Sequence, residues 1–173
     1  MINSAWPRVG AIALGETGDV GAVWMTYDRD TDGVIIYDAC LFVNVDLAVI
    51  AEGLNARGRF IPVAWAKGAE AFKDEMLNRG VKMLYDPADD GEGMARIITA
   101  SITERMRSSR LRADARLANW RDQMKAAQRS DGPDAAPQLL VTATRYALQM
   151  LPQGKAPESV TARKNLYPNV SIV

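Results

Sequence analysis

The chain has 173 residues, 48% of them hydrophobic, with 21 basic against 21 acidic side chains, so it can bury one ordinary core and has no net charge to draw it toward nucleic acid. It contains no histidine, which excludes a Ser-His-Asp triad, a Cys-His pair and an imidazole zinc site and leaves carboxylates as the candidate metal ligands. Its single cysteine, Cys40, excludes an internal disulfide, fits a reducing compartment and, inside the apolar run IYDACLFV, reads as a packing residue.

Met1 to Pro7 is a lead-in without the apolar core of a signal peptide. Val9 to Leu14 is an apolar run of strand length, Gly15 to Gly18 is turn chemistry, Val20 to Tyr27 is a second run, and Asp28 to Gly33 turns into a third, Val34 to Val43. These three runs predict an antiparallel meander, with the first strand central and the last covered on both faces. Asp46 is placed to cap a helix over Leu47 to Arg57, with Leu47, Ile50, Ala51 and Leu54 on one face and Gly58 at its end. A fourth strand is predicted over Arg59 to Trp65, a helix over Gly68 to Arg79 capped by Gly80, and a fifth strand over Val81 to Tyr85.

After the loop DPADDGEG, a helix runs from about Met94 to Arg107 with Ile97, Ile98, Ser101, Ile102 and Met106 on its apolar face. SSRLRAD resembles a small edge strand, and Ala115 to Arg129 an amphipathic helix with Leu117, Trp120, Met124 and Ala127 facing the core. Ser130 to Pro137 is a loop, Gln138 to Leu151 the last helix, and the rest an extended tail. The expected organisation is one domain over residues 1–151 and a tail over 152–173. Trp24, Trp65 and Trp120 are expected in the core, and no apolar run approaches the roughly 20 residues of a membrane helix.

Three antiparallel strands followed by helix, strand, helix, strand and helix is the element order of the ribonuclease H-like fold. The fold class expected is therefore α/β, a mixed sheet of about five strands with helices on both faces. Local motifs narrow this. RVGAIALGETGDVGAVW resembles the opening of the nuclease domain of phage large terminases: an apolar strand ending in an aspartate, a glycine-rich turn, Gly-Asp and a second strand. FIPVAWAKGAEAFKDEML is similar to that family's fourth strand, which ends in a second acid, and to the helix after it. EGMARIITASITERMRSSRLRAD resembles its stretch with a lysine and an arginine, a helix and a short strand, and LANWRDQMKAAQR its following helix. PQLLVTATRYALQML is similar to its closing helix, usually His-Asp-Asp-x-x-Asp-Ala-x-Arg-Tyr-Ala. The similarity spans about residues 8 to 151 and lies in the order and spacing of the motifs.

Carried over position by position, the resemblance puts the family's first catalytic aspartate on Ala13 and its second acid on Ala64. The acid pair of the last helix falls on Gln138 and Leu139, and the neighbouring third aspartate on Thr142. Asp19 is the acid that still matches; of the family's basic pair Arg96 remains, the lysine falling on Gly93. In that family the acids gather two divalent cations, which activate water and stabilise the leaving oxygen of a phosphodiester. Methyl, amide and isobutyl groups cannot do so. The resemblance thus implies no catalytic residues and no metal or other cofactor, in a protein that kept the fold for binding in genome packaging. The alternative is an active endonuclease that uses magnesium or manganese on acids at shifted positions, drawn from Glu16, Asp19, Asp86 and Asp134. No GxxxxGK[ST] phosphate loop occurs, the nearest sequence being GKAP from Gly154. Met1 close to the first strand favours a stand-alone protein over the C-terminal piece of a longer large subunit.

Two partner classes stay open. The first fifty residues hold two basic and seven acidic side chains, whereas residues 96–129 hold nine and three. Arg105, Arg107, Arg110 and Arg112, together with Arg96 and with Arg116, Arg121, Lys125 and Arg129, form a candidate surface for the phosphates of double-stranded DNA, or an ordinary solvated helical face. The tail LYPNVSIV suggests the other class, docking on phage packaging or capsid proteins, conceivably as an added strand. The expected location is the cytoplasm of the host cell or the virion, with no membrane partner.

Overall fold

The apolar runs expected to form a meander do so. The structure, a computed structural model, describes residues 2–66, 68–84, 92–129 and 138–157, with the backbone alone for 92–95. Strands β1 (Arg8–Leu14), β2 (Val20–Asp28) and β3 (Gly33–Phe42) are followed by α1 (Leu47–Ala56), β4 (Val63–Ala64) and α2 (Glu70–Asn78). Then come α3 (Glu92–Arg107), β5 (Leu111–Ala113), α4 (Ala118–Arg129) and α5 (Leu139–Met150), which runs into a 3-10 turn at Leu151–Gln153. The sheet order is β4-β1-β2-β3-β5. β1 and β3 flank β2 antiparallel, whereas β4 joins β1 and β5 joins β3 in parallel, so the sheet is mixed. β1 is an interior strand beside the middle one, β2.

Alternation sends Val9, Ala11 and Ala13 of β1 with Val23 and Met25 of β2 to one face, and Ile12 with Val20, Ala22 and Trp24 to the other. The first face is covered from α3, α4 and α5 by Ile102, Trp120, Met124 and Leu140, the second from α1 and α2 by Ile50, Leu54 and Met76. Helices therefore lie on both faces. The β2–β3 register shifts between Trp24 and Met25, leaving Tyr37 as an extra residue in β3. This bulge inverts the alternation: Val34 and Ile36 face the α5 side before it, Ala39 and Leu41 after it.

Trp24, Trp65 and Trp120 are all buried. Trp120 Nε1 donates to Thr144 Oγ1 at 2.9 Å, and that hydroxyl donates to Leu140 O at 2.7 Å, tying α4 to α5 through a satisfied buried pair. On the opposite face the Arg57 guanidinium lies 4.7 Å from the centre of the Trp24 ring and bonds Asp38 at 2.8 Å, so its charge is partnered where it crosses apolar surface. Cys40 is a free, half-buried thiol packed against that same layer.

Several expectations are corrected. The strand predicted over Arg59 to Trp65 shrinks to Val63–Ala64, and Val81 to Tyr85 to a single parallel bridge between Val63 and Met83. Gly58, at φ +133°, turns the chain, and Pro62 has no N–H for the ladder, so pairing starts only at Val63. So short a strand offers its next neighbour one residue: Val63 N donates to Lys82 O, and Leu84 N to Val63 O. The fifth strand is instead the short edge at Leu111–Ala113. Leu47 and Ile97 are 40% and 63% exposed, and Ser101 is exposed too. α1 enters the core only from Ile50 onward, and α3 through Ile102 with Ile98 half-buried. α4 starts at Ala118 rather than Ala115 because Asp114 closes a turn, its carboxylate accepting from Arg116 N at 2.9 Å and its carbonyl from Leu117 N at 3.1 Å.

Residues 152–157 return to β1, where Arg8 N donates to Lys155 O at 2.8 Å and Lys155 N to Arg8 O at 3.1 Å. Tyr85, residues 86–91 and 130–137, where the sequence predicts loops, and the LYPNVSIV segment lie outside the described residues.

Candidate functional site

β1 ends in a turn closed by Gly18 N on Gly15 O at 3.1 Å, with Gly18 at φ +85°. Ala13 faces the α5 side just before that turn, is 2% exposed and has Gly21 as its strand partner. β4 runs along the other edge of β1 with Ala64 opposite Ala11, and Ala64 is fully buried on the same face. Helix α5 meets this corner with its first residue. A Cβ on Gly21 would stand 2.6 Å from Leu139 Cβ and 2.8 Å from its carbonyl carbon, so glycine is what allows the helix to settle there. Leu139 Cδ1 reaches over Gly15 as well. Ala13, Ala64 and Leu139 therefore share one corner of one core.

Polar groups around the corner are few. Asp19 stands on the rim beside Gly15; its Oδ2 accepts from Thr17 Oγ1 at 2.8 Å and its Oδ1 from Asn44 N at 3.4 Å, tying the β1–β2 turn to the end of β3. Glu16 is exposed in that turn. Asp86 and Asp134 lie outside the described residues, and among the described ones no three His, Cys, Asp or Glu side chains are grouped to hold a metal ion. Gln138 precedes α5 at φ −90° and ψ 78° without capping it through its side chain. The cap comes from α4: Gln123 Oε1 accepts from Leu140 N at 2.8 Å, satisfying one of the amides a helix start leaves open. The Thr142 hydroxyl accepts from Arg145 Nη2 at 3.5 Å, and Arg145 Nε is buried with no partner among the described residues. Among the described residues the corner thus presents methyl groups, an isobutyl group and a hydroxyl, none of them a carboxylate ligand for a hard cation.

No family model and no curated protein matches the sequence. Solved structures do match. The P22 large terminase nuclease domain aligns with a TM-score of 0.78 at 17% identity, over 90% of this chain and 87% of that one. The fold is that of a large terminase nuclease domain. The large terminase nuclease domain of bacteriophage SPP1 with bound Mn is similar at TM-score 0.55 and 15% identity, over 83% of this chain and 84% of that one. The Mn-soaked human cytomegalovirus terminase nuclease domain is similar at 0.56 and 11%, over 84% of each chain.

Within this terminase-nuclease fold, the arginines at the end of α3 and on β5 lie away from the Ala13 corner. β5 joins β3 at Val34 to Ile36, whereas Leu41 of β3 is the neighbour of Gly21. About seven residues, on the order of 20 Å of strand, separate the two ends. Arg105 and Arg110 both reach Asp32 Oδ2, at 3.4 and 3.3 Å, and Arg107 pairs with Glu104 at 3.3 Å. Arg116 pairs with Asp114 at 2.9 Å and holds that carboxyl down to about 2. Arg112 Nε donates to Ser109 O at 3.2 Å, while Arg96 on α3 and Arg121, Lys125 and Arg129 on α4 are exposed. Four of these cations thus share three carboxylates of the same surface.

Two residues of the corner were not among those the sequence singled out. Gly21, a glycine inside an apolar strand, was itself the signal for a close backbone approach. Arg145 is the arginine of the closing motif.

Proposed function

We propose that this chain is a terminase-nuclease-like module of phage genome packaging that keeps the fold without cleaving DNA, and that acts in the host cell by binding DNA or another packaging protein. The observation that carries the reading is the corner itself. Ala13, Ala64 and Leu139 stand together at positions to which the resemblance assigns metal-binding acids. Two-metal hydrolysis needs carboxylate oxygens on both cations, and these side chains do not fit such a pair.

Arg145 supports the same reading. A partly buried guanidinium beside Thr142, where the family pattern has an aspartate, has a buried Nε without a partner among the described residues. An aspartate at position 142 would have supplied such a partner. Asp19, engaged by Thr17 and Asn44, then serves as the lock of a turn.

The test is incubation of the purified protein with supercoiled plasmid and manganese or magnesium. No nicking above the metal-free control is expected. Metal-dependent nicking that disappears in Asp19→Asn would overturn the proposal in favour of an endonuclease built on Asp19 and acids outside the described residues.

A further inference from the structure

We propose that a groove at the hairpin end of the sheet takes one unit of a single-stranded nucleic acid, its base against Trp6 and its phosphate on Arg112 and Arg110. The groove lies at the opposite end of β3 from the Ala13 corner and stands whether or not that corner is silent. Its volume is about 430 Å³, within the range of small-ligand sites. Ile35 is among its apolar lining, Trp6 lines it from the lead-in, and Ser108, Ser109, Arg110 and Arg112 line it from the connection between α3 and β5.

Each of these groups is held by its surroundings. Trp6 precedes a fixed point: Pro7 O accepts from Thr26 Oγ1 at 2.9 Å and from Tyr27 N at 3.2 Å. Ser109 takes φ +59° just beyond α3, where helices usually place a glycine, and so keeps a hydroxyl at a position that favours none. Its carbonyl accepts from Arg112 Nε at 3.2 Å, which orients that guanidinium, and Arg112 has no ion-pair partner among the described residues. Arg110 is steadied by Ser108 Oγ at 3.0 Å and shared with Asp32 at 3.3 Å. The carboxylate in the lining, Asp28, is engaged by the Thr31 hydroxyl at 2.8 Å and by Asp30 N at 3.1 Å.

An oriented, uncommitted guanidinium beside a second one suits a phosphate, and an indole in the same groove suits a flat ring. A duplex keeps its bases stacked and turned inward, out of reach of Trp6. An acidic peptide would use the arginines and reach the indole only with an apolar residue at the matching spacing, whereas every nucleotide carries both a phosphate and a flat ring. The pairing of the two features therefore selects a single strand.

The test is fluorescence anisotropy of a short fluorescein-labelled oligothymidylate at low salt. Saturable binding is expected, weakened about tenfold by Trp6→Ala and largely kept by Trp6→Phe. Arg112→Ala should weaken it about tenfold and flatten the log-log salt slope by about 0.7. Arg59→Ala, exposed beside α1 and Arg79, should change nothing. Arg112 is exposed, so its variant keeps the test open if Trp6→Ala fails to fold. The proposal is overturned if no saturable binding occurs, if both alanine variants bind like the wild type, or if duplex or a glutamate-rich peptide competes as well as the strand.

Discussion

Leu139 rests on the bare backbone of Gly21: a methyl group there would come within 2.6 Å of Leu139 Cβ. Because Gly21 is the strand partner of Ala13, this one contact sets how the last helix closes over the end of β1. It makes the corner a packed piece of core, sealed by an isobutyl group and two methyls.

Gly21→Ala should therefore destabilise the protein by about 1–3 kcal/mol, the usual range for overpacking a filled core. Adding Leu139→Ala should not restore stability, because the Leu139 carbonyl carbon, at 2.8 Å, still obstructs the new methyl. Urea unfolding of the two variants checks both statements. An unchanged midpoint for Gly21→Ala would show that α5 does not sit where described.

Thr142→Asp should stabilise. It places a carboxylate one turn before Arg145 and in the first turn of α5, where both the pair and the helix dipole favour a negative charge, worth about 0.5–1 kcal/mol. In a chain of this size that is a rise in Tm of roughly 1–4 °C. The gain should vanish in Thr142→Asp with Arg145→Gln. It should also fade as the pH falls through the carboxylate range, since the paired carboxyl titrates lower folded than unfolded. Differential scanning fluorimetry over pH reads all three.

Burial pushes the Cys40 thiol from 9.0 up to about 11. At pH 8 its thiolate fraction should then be on the order of a hundredfold below that of a free thiol, and alkylation correspondingly slow until the protein is denatured. The sign for stability follows. A thiol that titrates higher when folded contributes stability that is fully present below pH 9.0 and is lost as the pH rises through about 11. Tyr37, pushed to about 12 by burial, acts in the same sense. Iodoacetamide labelling with and without urea is the check.

The meander was legible because its turns carry their own chemistry and its strands alternate, and the helix order followed from periodicity. The shortness of β4 was not: Val81 to Tyr85 has a strand's composition, but its partner is limited to Val63 by a proline and a turn in another segment. Ile97 was misplaced for a related reason. A helical period marks a stripe, not how much of that stripe meets the sheet. The ion pairs of the basic segment were not legible either, since Asp32, which Arg105 and Arg110 share, lies 73 residues before the first of them. As for the corner, Ala13 and Ala64 are on their face only apolar strand residues. The order of motifs around them marked them out, and in the structure both lie on the sheet face that α5 covers.

In the proposed reading this corner keeps the shape of a metal site and lacks the ligands. Thermal melting with and without manganese, on the wild type and on Ala13→Asp/Ala64→Glu/Leu139→Asp, tests it most directly. The wild type should melt at the same temperature in both. The triple variant should melt lower without metal, because three like charges in a confined corner repel and are partly desolvated. Manganese should then raise its Tm, since a ligand held only by the folded state stabilises it. A wild type stabilised by manganese, or a folded triple variant that manganese leaves unmoved, would contradict the claim.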